Sequence, residues 1–169
     1  REQYYIELAS TDPLTNLYNR RFLEEEVRRI DQDQEPFTQN SMIMIDLDNF
    51  REVNERFGHM AGDAILIRIS EAIQKRIKKS DIACRYGGDE FMLLLYNTLL
   101  PGAREIAEQV RQDIARMDLA SETGEKFTIT ASIGVSECRA EDSFEGLFLR
   151  ADHALLKAKR SGRNSIASL

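Results

Sequence analysis

The run Ser41-Met-Ile-Met-Ile-Asp46-Leu47 is apolar at consecutive rather than alternate positions until Asp46 interrupts it. That is the pattern of a strand buried on both faces. A carboxylate near the end of such a strand is unusual, because burying a charge costs free energy unless something compensates it.

The remaining segments are read around this strand. Residues 20–30 carry Leu23, Val27 and Ile30 at helical spacing, and Gln34-Glu35-Pro36 breaks the pattern. Phe50, Val53, Asn54 and Phe57 predict a short helix stopped by Gly58, and residues 62–78 a longer one with Ile65, Leu66, Ile69 and Ile73 on its apolar face. Strands at 82–86 and 91–95, joined across Gly87-Gly88-Asp89-Glu90, read as a tight hairpin. Residues 103–117 are helical, and 127–135 alternate with period two, as in a half-buried strand. The last helix is expected at 142–159, opened by an Asp142…Glu145 capping box and closed near Gly162, before a short strand at 165–167.

After a leading helix the order is β-α-α-β-β-α-β-α-β. Strand, helix, hairpin, helix, strand is the split βαβ plan, an α+β fold whose helices pack on one face of a mostly antiparallel sheet. In this plan the strand at 41–47 runs parallel to the first hairpin strand and antiparallel to the second, which lies between them. Asp46 then sits beside the hairpin turn, and carboxylates far apart in sequence converge at one edge of the sheet.

Asp46 and Asp48 follow the buried strand, while Asp89 and Glu90 stand on the turn. Like charges a few ångströms apart raise each other's pKa, and a divalent cation relieves the repulsion. Oxygen-only ligands suit Mg²⁺ or Mn²⁺, and two such ions can clamp a phosphoryl group. Taken singly, Asp46 reads as a helix cap and Gly-Gly-Asp as an ordinary turn; their convergence reverses that and favours the cation. Asn54 and Asp63 have the donors and acceptors to read a guanine edge, or Asp63 simply complements a helix N-terminus. Lys159 and Arg163 close the last helix, as capping residues or as ligands of a triphosphate. His59 and His153 lack partners for a triad or a metal site and read as structural.

With 169 residues, 42% hydrophobic and 31% charged, the chain has the size and composition of one globular domain. A net charge of −6 argues against nucleic-acid binding and against attraction to anionic lipid. No apolar run reaches the roughly 18 residues of a membrane span. Cys84 and Cys138 lie in strand-like apolar runs and read as reduced, buried thiols; the ligands for a zinc site are lacking. The chain opens Arg1-Glu2-Gln3 without an initiator Met, so it is expected to be cut from a longer protein. Tyr5, Leu8 and Ala9 suggest that residues 1–10 end an upstream linker or signalling helix, with the domain at 11–169.

Arg85-Tyr-Gly-Gly-Asp-Glu-Phe91 resembles the signature of the GGDEF family, the diguanylate cyclases. The likeness extends to Asp12-Pro-Leu-Thr-Asn-Leu-Tyr-Asn-Arg-Arg21, Asp46-Leu-Asp-Asn-Phe50, Asn54 and Gly58-His59-x-x-Gly62-Asp63. It continues through Ser132-Ile-Gly134 and Ala158-Lys159-x-x-Gly162-Arg163-Asn164, in the family's order and spacing. The resemblance implies a core like those of nucleotidyl cyclases and polymerase palms, with a central sheet surrounded by helices. It also implies that two GTP condense to cyclic di-GMP with release of two pyrophosphates. Carried over by position, Asp46, the Leu47 carbonyl and Asp89 would hold two Mg²⁺ ions (Mn²⁺ being an alternative), and Asp89 or Glu90 would help deprotonate the attacking 3′-hydroxyl. Asn54 and Asp63 would read guanine, while Phe50, Arg51, Lys159 and Arg163 would bind phosphates. Gly87 and Gly88 would let the nucleotide approach the backbone.

The resemblance further implies a homodimer across the active site, because each domain holds one GTP. An upstream sensory or regulatory module would set the effective concentration, and the domain would work in the cytoplasm. Where the family carries an Arg-x-x-Asp product-inhibition site, this chain has Lys78-Lys79-Ser80-Asp81. Lysine lacks the planar fork that grips guanine or phosphate, so weak or absent feedback is expected. Arg51, Glu55 and Leu156 depart from the family's usual Lys, Asp and Tyr. Asp63 favours two GTP over a mixed dinucleotide, since members making the mixed product resemble ones with Ser there. Two alternatives are a catalytically silent GGDEF domain that binds GTP and regulates a partner, and a template-dependent polymerase palm.

Overall fold

The computed structural model describes residues 10–32, 39–140 and 142–169. The helix expected within the first ten residues lies almost wholly outside them, as does the break at Gln34-Glu35-Pro36. In chain order the first elements are β1 (Tyr18–Asn19), α1 (Arg20–Gln32), β2 (Ser41–Leu47), α2 (Phe50–Phe57), α3 (His59–Arg76), β3 (Ile82–Arg85) and β4 (Glu90–Leu95). There follow α4 (Leu100–Ala115), β5 (Leu119–Ala120), β6 (Lys126–Phe127), β7 (Ala131–Glu137), α5 (Phe144–Arg160) and β8 (Ile166–Ser168).

Six strands form one sheet in the order β1-β3-β4-β2-β7-β8. The central pairings β3/β4, β4/β2 and β2/β7 are antiparallel, and the outer pairings β1/β3 and β7/β8 are parallel. The fold is α+β with a mostly antiparallel sheet. As the split plan requires, β4 lies between β2 and β3. Alternate residues of β2 serve opposite layers: Ile43, Ile45 and Leu47 pack towards α3 and α4, Met42 and Met44 towards α1 and α5. Each such side chain removed from water contributes about 1.5–3 kcal/mol. The helices of the split plan, α3 and α4, share one face as expected; α1 and α5 cover the other, and the sheet is enclosed.

That second layer explains the main departure from the sequence reading. The period-two stretch at 127–135 is not one half-buried strand. Lys126–Phe127 pairs with Leu119–Ala120 in a separate ribbon, and β7 begins at Ala131 and is buried on both faces through Ser136. Ser132, Gly134 and Ser136 look like a solvent face in sequence, but their small side chains admit α5. A Cβ on Gly134 would lie 2.3 Å from both the Ala151 carbonyl oxygen and the Leu155 nitrogen.

Other boundaries shift for local reasons. The capping box at Asp142 does not form: Ser143 caps α5 by accepting from the Gly146 amide at 3.3 Å. Asp142 instead accepts from the Arg139 amide at 2.6 Å and pairs with Arg150. Helix α4 starts at Leu100, before the expected 103, because Pro101 occupies a first-turn position where its missing N–H is not needed. Helix α3 starts at His59, with Gly62 inside its first turn. β1 has two residues, too few to show a period.

Cys84 and Cys138 are free and buried, as expected. Burial pushes their thiols up to about 12 and about 11, so both stay protonated. Among the described residues no helix is long and apolar enough to cross a membrane.

Candidate active site

The ends of β2 and β4 bring the expected carboxylates to one edge of the sheet. Asp46 stands opposite Glu90 on β4 and Ser132 on β7. The signature turn is closed by its own backbone, the amides of Tyr86 and Gly87 donating to the Glu90 carbonyl at 2.9 and 3.2 Å. It is tied to β2 by the Leu47 amide, which donates to the Asp89 carbonyl at 3.2 Å.

Two residues not assigned from sequence hold this turn. The Arg85 guanidinium donates through Nη2 to the Gly88 carbonyl at 2.9 Å and through Nη1 to both Asp12 carboxylate oxygens at 3.3 Å. Asp12 is fixed in turn by the Thr15 amide at 2.9 Å and the Thr15 hydroxyl at 2.8 Å. Arg85 and Asp12 lie 73 positions apart, at the ends of segments joined through the parallel β1/β3 pair. The pairing of β1 with β3 was the missing signal.

The electrostatics follow from crowding. Burial, then the Asp46 charge, raises the Asp89 pKa from its ordinary value. Glu90 is raised by burial, then by Asp46 and Asp89. Lys159, in the last turn of α5, forms an ion pair with Asp46 and draws both neighbours back down. Among the described residues no three His, Cys, Asp or Glu side chains gather as a ready-made metal centre. The donors present are hard oxygens that repel one another, and this chemistry fits a hard divalent cation.

Asp48 does not belong with them. Its side chain is 2% exposed and accepts from Thr130 Oγ1 and Ser132 Oγ at 2.7 Å and from the Asn164 amide at 3.0 Å. It is a structural charge that latches the β7 edge and the turn after α5. That turn carries Arg163 and Asn164 at φ of 64° and 41°, in the left-handed region, and places Arg163 Nη1 3.9 Å from Asp48.

A cleft of about 590 Å³ opens beside the turn, lined by Phe50, Arg51, Asn54, Glu55, His59, Asp63, Leu66, Arg85, Gly88 and Asp89. Asn54 and Asp63 therefore face one space with the signature turn. Gly62 lets α3 approach α2 closely enough for this, since a Cβ there would sit 1.9 Å from Asn54 Oδ1. A Cβ on Gly88 would meet nothing within 4 Å, so the protein itself does not require that glycine and the space before it is open. Phe50 is 8% exposed and packs in the core, whereas Arg51 is exposed and pairs with Glu55 at 3.1 Å. His59, read as structural, lines this cleft; His153 is exposed on α5. Lys159 and Arg163 are not among the residues that line it; Lys159 pairs with Asp46, and Arg163 lies by Asp48.

Lys78 and Asp81 lie before β3, at the end remote from the signature turn. Asp81 is buried and accepts from the amides of Lys78 at 2.9 Å and Tyr96 at 3.0 Å. Lys78 Nζ donates to the Tyr96 carbonyl at 2.7 Å. Both side chains are engaged in joining the loop before β3 to the end of β4. They also line a separate cavity of about 790 Å³.

Comparison with known proteins gives the family of the chain. The profile described as "Diguanylate cyclase, GGDEF domain" matches residues 9–165. Response regulator PleD of Caulobacter vibrioides is 38% identical over 167 residues, covering 95% of this chain and 36% of PleD. Diguanylate cyclase DgcP of Pseudomonas aeruginosa is 38% identical over 162 residues, covering 94% of this chain and 24% of DgcP. The chain thus spans about a third or less of these two relatives. The crystal structure of the coiled coil and GGDEF domain of DgcB from Caulobacter crescentus, in complex with c-di-GMP, superimposes with a TM-score of 0.93 at 29% identity, covering 99% of this chain and 90% of that one.

Proposed function

The chain belongs to the GGDEF family of diguanylate cyclase domains, and on that premise we propose that it condenses two GTP into cyclic di-GMP and two pyrophosphates. The observation that carries this reading is the cleft shared by Asn54, Asp63 and the Gly88-Asp89 turn, with Asp46 opposite Glu90 on the paired strands that hold this turn.

Asn54 and Asp63 bind the guanine edge, the carboxylate accepting from N1–H and the exocyclic amine. Gly88 leaves room for the nucleotide against the turn. Asp46, Asp89 and the Leu47 carbonyl are the groups that would hold two Mg²⁺ ions, with Mn²⁺ an alternative. Bound there, the cations stabilise charge developing on the phosphoryl oxygens. The 3′-oxygen of each GTP attacks the α-phosphorus of the other, the bond to the β-phosphate breaks, and pyrophosphate leaves. The hydroxyl proton passes to Asp89 or Glu90, whose raised proton affinities suit a general base. Lys159 and Arg163 neutralise the terminal phosphates, with Arg51 and the Phe50 backbone at the cleft wall. One domain holds one GTP, so the reacting form is a two-fold dimer, and an upstream module governs how often domains meet. A domain that consumes GTP works in the cytoplasm, where GTP is held.

Incubation with GTP and Mg²⁺, followed by chromatography and mass spectrometry, tests the reading. Cyclic di-GMP from the native chain and none from Asp89→Ala is the expected result. GTP bound without turnover at high protein concentration would overturn it in favour of a regulatory GTP-binding domain.

A further inference from the structure

Asp46 stands opposite Glu90 where β2 ends, the Leu47 amide ties the Asp89 turn to the same strand end, and one ammonium, that of Lys159, is paired with Asp46. The Lys159 side chain is 32% exposed and that of Asp46 17%, so the pair is partly screened from water and free to open on one side. The Lys159 backbone is fixed in the last turn of α5, where its carbonyl accepts from the Ser161 and Gly162 amides. The side chain is the part that can move.

The ammonium and a divalent cation seek the same Asp46 oxygen, and two cations cannot share it without strong repulsion. We propose that Lys159 is the resting counter-ion of Asp46, which a divalent cation must displace, so that cation affinity is held down while no nucleotide is bound. The inference rests on the assignment of Asp46 as a cation ligand. It adds a second role to Lys159, opposed to its role with phosphate. A triphosphate offers the ammonium another partner, and its departure frees Asp46. Nucleotide and cation then each favour the other's binding, by equal free energy in both directions.

The test is a Mn²⁺ titration of nucleotide-free protein, read as loss of the free-ion signal in electron paramagnetic resonance. Lys159→Gln is expected to bind Mn²⁺ roughly tenfold more tightly than the native chain, within the usual range of coupling between two ligands. Lys159→Arg, which keeps the charge, is expected to bind as weakly as the native chain, and Asp46→Asn to lose the site. Binding by Lys159→Gln equal to or weaker than native, with Asp46→Asn still abolishing it, would overturn the counter-ion role alone. Native-strength binding in Asp46→Asn would overturn the cation assignment as well. Thermal melts of each variant separate a lost site from a lost fold.

Discussion

Asp48 carries a charge into the interior, and its surroundings show why the fold accepts it. Two hydroxyls and one amide satisfy the carboxylate, and Arg163 lies beyond. Asp48→Ala leaves those donors unpaired and is expected to cost about 3–5 kcal/mol, read by urea unfolding. Asp12 behaves differently because it is only partly buried. Burial raises its pKa, but the Thr15 hydrogen bonds and Arg85 outweigh that, leaving it below the ordinary carboxylate value. A depressed folded-state pKa contributes stability above the ordinary carboxylate range, and this contribution is lost as pH falls through it. The stability gap between the native chain and Asp12→Asn is therefore expected to shrink from about pH 7 to about pH 3, measured by urea unfolding at each pH.

Glycines separate fold from function at the level of elements. Gly134 lies where α5 crosses β7, and the atoms a Cβ would meet are backbone that cannot rotate away. Gly134→Ala is expected to push α5 off the sheet and cost about 1–3 kcal/mol, or more if the helix cannot shift. Gly88→Ala meets no protein atom, so its melting temperature should stay native while GTP binding falls, measured by calorimetry. A large stability loss in Gly88→Ala, or none in Gly134→Ala, would contradict these packings. The same elements show what was legible in the chain. β2 announces itself by its apolar run, whereas β7 misleads, because serine and glycine look alike whether they face water or the underside of a helix.

At the scale of the whole molecule, Asn54, Asp63 and the signature turn line a cleft that, on the proposed reading, holds one GTP. The proposed reaction needs a second 3′-hydroxyl delivered from outside that cleft. Cyclase activity per chain is therefore expected to rise with protein concentration, tracked alongside the dimer fraction by sedimentation. A rate per chain independent of concentration in a strictly monomeric protein would contradict the two-domain reaction. Lys78 and Asp81 belong to this scale too, since their internal bonds join β3 to the end of β4. Asp81→Ala would disturb that junction as well as any ligand bound beside it.

The chain alone determined the succession of strands and helices that suggests the split plan, because apolar runs and helical periods depend on neighbours a few residues apart. It determined the candidate carboxylates for the same reason: Asp46 and Asp89 each interrupt a local pattern. What it left open was which acidic groups face the site and which hold the fold. Asp46 and Asp48 are two residues apart, yet one pairs with Lys159 and the other is sealed under Thr130, Ser132 and Asn164. That difference arises from contacts spanning 82 to 116 positions. Only the packing of β7 and α5 against β2 brings those partners into range, so only the tertiary structure decided it.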